Sequence, residues 1–207
     1  MNTSELNIAL ECAIRQEATG LRVGYRVRNA HGTPIGLFNQ LAAPHLDGTL
    51  SYAPEHVYVD FEAPTLSLRK RVLPIPEGLR MAERETPAVT LLPDGQAFQE
   101  EFFLSAPVAV RNPFRRAALA GSSPGSEVVV DVAEEAFLVV FEVGVFAVEA
   151  GWRLVSVSPG YPEVYRVWPP GPAVDAQVVL RQEARLARPL PVLDYRLVEP
   201  PSKEETS

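Results

Sequence analysis

Apolar residues recur at every second position along most of this chain, in runs too short to be anything but strands. In LNIALECAI (6–14), Leu6, Ile8, Leu10, Cys12 and Ile14 fall on one face. In LRVGYRVRN (21–29), Leu21, Val23, Tyr25 and Val27 do the same, with Arg22, Arg26 and Arg28 opposite. A period of two marks a half-buried strand, because successive side chains of an extended chain point to opposite faces. HVYVDF, LSLRKRVL, AVTLL, AFQEEFFL, EVVVDV, AFLVVFEVGVF, EVYRVW and AQVVLRQEARL are further runs of this kind. Twenty prolines and thirteen glycines interrupt the chain, which leaves room only for short helices such as 113–120. No run alternates a strand with a long amphipathic helix, so a parallel α/β sheet is disfavoured. The expected fold is all-β, an antiparallel immunoglobulin-like β-sandwich with little helix, built as one large or two small units. The expected division is a sandwich unit over 1–112, a short helix and flexible joint over 113–126, a second β unit over 127–198 packed on the first, and a disordered tail over 199–207.

YRVRNAHGTPIGLFNQL (25–41) reads as a strand, a turn containing Asn29 and Gly32, and a second strand. It resembles the hairpins of bacterial immunoglobulin-like sandwiches, including those of intracellular proteinase-inhibitor domains. The resemblance implies a fold and carries no functional residue. Farther on, LPDGQAFQEEFFL (92–104) and WPPGPAVDAQVVL (168–180) align without gaps, Pro93, Gly95, Ala97 and Leu104 matching Pro169, Gly171, Ala173 and Leu180. Either these are copies of one unit, or they share a Pro-x-Gly turn ahead of a strand, which the backbone preferences of Pro and Gly favour by themselves.

The formal net charge of −7 argues against a nucleic-acid partner, which needs a basic face to displace phosphate counterions. Arg69-Lys70-Arg71 and Arg115-Arg116 are the only dense basic spots. Lys70 and Lys203 are the only lysines among nineteen basic residues, a bias that points to a GC-rich bacterial genome. No positive region followed by an apolar run follows Met1, so no secretory signal is expected. A single cysteine, Cys12, fits a reducing compartment. The longest apolar stretch, 136–148, is broken by Glu142 and falls short of the ~20 residues of a membrane-spanning helix. A soluble cytoplasmic protein with neither a nucleic-acid nor a membrane partner is the expectation.

Motifs of catalysis are weak here. Gly121-Ser122-Ser123-Pro124-Gly125 fits G-x-S-x-G, yet a nucleophile elbow needs a strand before the serine and a helix after it. In this chain a helical segment precedes Ser123 and a strand follows. Pro124 has no N–H to offer an oxyanion hole, and His31, His45 and His56 all lie upstream. Ser123 therefore reads as part of a Gly/Ser/Pro joint. His45-x-Asp47 and His56-x-x-x-Asp60 place His45, Asp47 and His56 in one neighbourhood, a set that suits zinc or non-haem iron. The competing reading is an Asp-Gly turn in APHLDGT and solvated positions beside a strand, with no metal and no cofactor. Cys12 keeps register with Ile8, Leu10 and Ile14 and reads as a core thiol. No phosphate-binding glycine motif is present. Glu100-Glu101 and Glu134-Glu135 face opposite ways on a strand, so neither is an acid/base couple.

The stretch best suited to recognition is SPGYPEVYRVWPPGP (158–172), which presents Tyr161, Tyr165, Arg166 and Trp168 among five prolines. Aromatic residues and arginine dominate binding hot spots, and proline lowers the entropy cost of presenting them. The expected function is a non-catalytic binding or assembly module that acts through an unknown protein partner. The alternatives are a metal-dependent enzyme using His45, Asp47 and His56, or a self-associating structural subunit whose long apolar strand pairs with a copy of itself. That strand is AFLVVFEVGVFAVEAGW (136–152). Phe137, Val139, Phe141, Val143 and Val145 make one face wholly apolar, and Gly144 is expected to permit a bend or bulge. Glu142 must reach the rim or find a partner, because an unpaired buried carboxylate cannot stay charged cheaply.

Overall fold

The computed structural model describes residues 6–45, 47, 49–79, 86–115, 127–157, 160–161, 163–168 and 170–198. In chain order its strands begin with β1 (Ile8–Glu17), β2 (Gly20–Asn29), β3 (Ile35–Gln40), β4 (Ala42–Pro44) and β5 (Leu50–Tyr52). They continue with β6 (Tyr58–Glu62), β7 (Thr65–Lys70), β8 (Ala88–Leu92), β9 (Ala97–Ser105) and β10 (Val108–Ala109). Last come β11 (Glu127–Ala147), β12 (Arg153–Ser156), β13 (Tyr165–Trp168) and β14 (Val178–Val198), with one short helix, α1 (Pro170–Asp175), ahead of β14. The all-β reading holds. Among the described residues no helix is long and apolar enough to cross a membrane.

Two sheets share one core, and β4 and β5 pair apart from them as a two-stranded sheet. A three-stranded sheet runs β1-β2-β9, and a nine-stranded sheet runs β10-β14-β11-β3-β8-β13-β12, with β6 and β7 attached through β11. Leu21, Val23, Tyr25 and Val27 of β2 are buried as their alternation requires, and with Phe102 and Leu104 of β9 they cover the smaller sheet's inner face. Ile35, Leu37, Leu66, Leu68, Val139, Phe141 and Val143 of the larger sheet complete the core. Leu6, Ile8, Leu10, Cys12 and Ile14 pack against it from the smaller sheet's rim, only partly buried.

The pairing is not antiparallel throughout. β7 runs parallel to β11 from Leu138↔Thr65 to Val143↔Lys70, and β10 parallel to β14 at Val108↔Val192. A parallel neighbour needs a long return path rather than a tight turn, and sequence alternation carries no sign of it. Nor do β2 and β3 form the hairpin expected over 25–41: each belongs to a different sheet. The chain crosses between sheets at Asn29, whose buried amide donates to the carbonyls of Thr33 (2.8 Å) and Leu92 (3.0 Å). Strands from both sides of 113–126 meet in the larger sheet, where β11 and β14 pair with β7, β3 and β10. The joint beyond Arg115, Ser123 included, and the tail from 199 lie outside the described residues. Stretches 92–104 and 168–180 part company: Ala97 begins a strand, whereas Ala173 is buried in α1.

EVVVDV and AFLVVFEVGVF are one 21-residue strand, β11, which pairs with β14 along its length. Residues 138–143 lie between β14 and β7, and Val145 between β14 and β3, so among the described residues these positions have no free edge for a second copy. Phe141 is fully buried against Tyr25 (ring centroids 4.8 Å) and Phe102 (6.1 Å). Phe137 departs from expectation at 46% exposed. The register against β14 breaks between Ala136 and Leu138, and the Phe137 N–H turns to the carbonyl of Pro64 (3.0 Å). Gly144 sits in unbroken register and makes no bulge. Its lack of a side chain serves a close approach, since a Cβ there would lie 2.2 Å from Gln177 Oε1, which accepts from the Val72 N–H (2.9 Å). Phe141→Ala is expected to cost about 3–5 kcal/mol in chemical denaturation, while Phe137→Ala stays within about 0.5 kcal/mol of the parent. Equal losses at the two positions would contradict this register.

Candidate functional site

The face around SPGYPEVYRVW is built by an edge hairpin. β12 pairs antiparallel with β13 through Arg153↔Trp168, Leu154↔Val167, Val155↔Arg166 and Ser156↔Tyr165, and β12 ends the larger sheet. Period two divides β13 cleanly. Tyr165 and Val167 turn inward, into a small core with Phe38, Val89 and Phe146. Arg166 and Trp168 turn outward and, with Arg153 and Val155 opposite them, form an exposed patch. Trp168 is 63% exposed. Tyr161 does not join them; it precedes β13, partly buried, edge-on to Tyr52 (ring centroids 5.1 Å). Of the four residues singled out from sequence, the fold brings Arg166 and Trp168 together and adds Arg153 and Val155, which cross-strand pairing supplies.

His45, Asp47 and His56 do not converge. His45 is exposed, and Asp47 Oδ1 accepts from the Thr49 N–H (2.9 Å) and hydroxyl (2.7 Å), closing the turn between β4 and β5. His56 Nδ1–H donates to the Leu41 carbonyl (3.2 Å). Among the described residues no three His, Cys, Asp or Glu side chains are grouped as a metal requires. Burial pushes the Cys12 thiol up to about 11, which leaves it protonated at neutral pH.

Charge instead collects in a chain of ion pairs on the larger sheet's outer face. Arg115 of the 113–115 helical turn binds Asp194 and also Asp60 (3.1 Å), and Asp60 binds Arg69 (2.9 Å). Glu142 accepts from Arg71 Nε (2.7 Å), and Arg69 Nε lies 3.3 Å from it as a charge contact without a hydrogen bond. The anomalous glutamate thus finds its partners in the Arg69-Lys70-Arg71 run, whose outward members flank it. A cleft of about 420 Å³ opens beside Arg115, lined also by Asp60, Glu62, Glu134 and Asp194. Burial works to raise the Asp60 carboxyl, but the hydrogen bonds from Arg69 and Arg115 outweigh it and hold the group below its ordinary 3.8.

The middle member, Lys70, points the other way. It shares the inward face of β7 with Leu66 and Leu68 and is 0% exposed. Its Nζ lies 2.5 Å from Glu100 Oε2 on β9, donates to the Asn39 carbonyl (3.2 Å), and sits 5.4 Å from the centre of the Phe102 ring. The Tyr25 hydroxyl donates to the same glutamate oxygen (2.7 Å). Burial drives the Lys70 ammonium down against the opposing pull of Glu100, and burial together with the Glu100 charge drives the Tyr25 phenol well up. Glu101, next in chain, faces outward to Arg22 (3.1 Å), so the two glutamates do point apart as their alternation requires. Sequence reading missed this triad, although TLSLRK already sets Lys70 in phase with two leucines. No family model, curated protein or solved structure matches the chain.

Two predictions follow the charges. Glu100→Gln strands a buried ammonium and is expected to cost about 3–5 kcal/mol, whereas Lys70→Met, Glu100→Leu and Tyr25→Phe together should recover most of that loss in equilibrium melts. A triple variant weaker than Glu100→Gln would contradict the pairing. Asp60, depressed in the folded chain, stabilises above its unfolded value of 3.8 and loses that contribution as pH falls through the folded value. Asp60→Asn should therefore be less stable than the parent at neutral pH, with the gap closing below pH 3.8 in titrated melts. A gap independent of pH would exclude this role.

Proposed function

We propose that this chain is an immunoglobulin-like sandwich that works as a non-catalytic protein-binding module, with the outer face of the β12–β13 hairpin as its contact surface. The observation that carries the reading is Trp168, 63% exposed between Arg153 and Arg166 on an edge hairpin. A large aromatic held on a strand has little freedom left to lose on binding, and tryptophan beside arginine is the commonest make-up of an interface hot spot. Strand order supports the fold. With β1-β2-β9 against β14-β11-β3, the smaller sheet corresponds to the first, second and fifth strands of an immunoglobulin-like sandwich, and the larger to the seventh, sixth and third. The crossing from β2 to β3 is what such a sandwich requires between its second and third strands, and it agrees with the likeness carried by 25–41. A cytoplasmic bacterial setting, with neither cofactor nor catalysis, belongs to the same reading.

Trp168→Ala tests it. The variant should melt like the parent, because an exposed side chain gives little to the core, yet as bait it should lose the partner that the parent captures from its host extract. Retention of that partner by Trp168→Ala and by Arg166→Ala would place the contact elsewhere. Loss of stability beyond about 1.5 kcal/mol would make Trp168 a packing residue.

A further inference from the structure

The opposite end of the larger sheet has an edge that few proteins leave open. From Val178 to Arg185, β14 pairs residue for residue with β11, and among the described residues no strand pairs with its other side, although β1 comes close to β14 where Gln16 and Glu17 meet Arg188. β10 reaches only Val192 and Leu193, and the side chain of Gln16 meets the backbone of Arg188 (3.0 and 3.2 Å) beyond the open stretch. Natural edges are blunted by charged side chains, lysine above all, by proline, a bulge or a cover. Over 178–185 there is no proline, no lysine and no break in register, and its charges, Arg181, Glu183 and Arg185, are of both signs. Val178 and Val179 are exposed at 43% and 38% at its start.

Self-complementarity names the occupant. Arg181 and Glu183 lie on the outward face, two positions apart, and among the described residues their one ion pair is with each other at 2.5 Å, both about half exposed. A second β14 laid antiparallel, with Gln182 on the two-fold axis, sets Arg181 opposite Glu183 of the second copy, and Glu183 opposite its Arg181. The same register sets Leu180 opposite Ala184 and covers Val178 with Leu186. Sliding by two residues brings Arg181 against Arg181 or Glu183 against Glu183, which repel, and sliding by one turns polar positions onto the apolar face. Centring on Ala184 would pair Glu183 with Arg185 instead, but that ladder runs on to Arg188, whose backbone N–H and carbonyl the Gln16 side chain already holds, which leaves the register about Gln182. We infer that the protein forms a two-fold dimer by antiparallel pairing of its β14 edges about Gln182, an isologous contact that closes on itself. This contact is independent of the β12–β13 hairpin.

Sedimentation of the full chain tests it. The parent is expected to be a dimer. Arg181→Glu, or Glu183→Arg, sets like charges face to face twice and should weaken the dimer roughly tenfold or more. The double swap Arg181→Glu with Glu183→Arg restores the pattern and should restore the affinity. All three should keep the parent's circular dichroism, since both side chains are exposed. Gln182→Cys should oxidise to a disulfide-linked dimer, because residues paired on the axis hold Cα atoms about 4.5–5.5 Å apart, within disulfide reach. A parent that stays monomeric up to its solubility limit would overturn the proposal. So would a dimer indifferent to the single reversals, which would associate through another surface.

Discussion

The ion pair between Lys70 and Glu100 ties the two sheets together through the middle of their shared core. Lys70 reaches inward from β7 and Glu100 from β9, with Tyr25 of β2 on the same carboxylate. Desolvating two charges recovers little net stability even when they meet, but leaving one of them alone is very costly. The pair therefore acts on geometry. A one-residue slip of β7 against β11, or of β9 against β2, would turn one charge outward and leave the other buried among Phe102 and Phe141. Apolar packing alone tolerates sliding; this contact does not.

The outer face uses the same residues in the opposite sense. Arg69 and Arg71 flank Lys70 in sequence, and alternation sends them out to Glu142 while Lys70 goes in. From there the ion pairs run through Asp60 and Arg115 to Asp194, so β7, β11, β6, the 113–115 turn and β14 are joined by charge across strands that hydrogen bonds join only pairwise. Asp60, which sequence spacing offered beside His56, is occupied by two arginines and belongs to this framework.

Whatever depends on period two was legible in the chain. The buried face of β2, the inward phase of Cys12 and the opposed directions of Glu100 and Glu101 all follow from counting. Which strand lies beside which was not, since a parallel pair such as β7 and β11 joins residues about seventy positions apart. Prolines do not end a strand here. β14 runs to Val198 through Pro189, which falls in the register break between Arg185 and Leu190, and through Pro191, which stays opposite Glu135. Phe137 fell on the right parity and the wrong side, turned out by a register break that no pattern of residue types announces. Trp168 was legible as a candidate for recognition, but its outward direction and its neighbours Arg153 and Val155 emerge only from the pairing of β12 with β13.

The larger sheet sets β14 near one end and β12 at the other, five strand spacings apart. In a pair joined through β14, those distances add to the spacing at the junction. Trp168 lies on β13, one spacing short of β12, so the two Trp168 faces would stand nine spacings apart, roughly 43 Å measured strand to strand along the sheets. A target that repeats its recognised segment at that span is held by both faces at once, and once the first is seated the second binds at a local concentration far above the bulk. A target with a single segment gains nothing. Sheet width becomes a ruler, and the preference it creates is for spacing rather than for sequence.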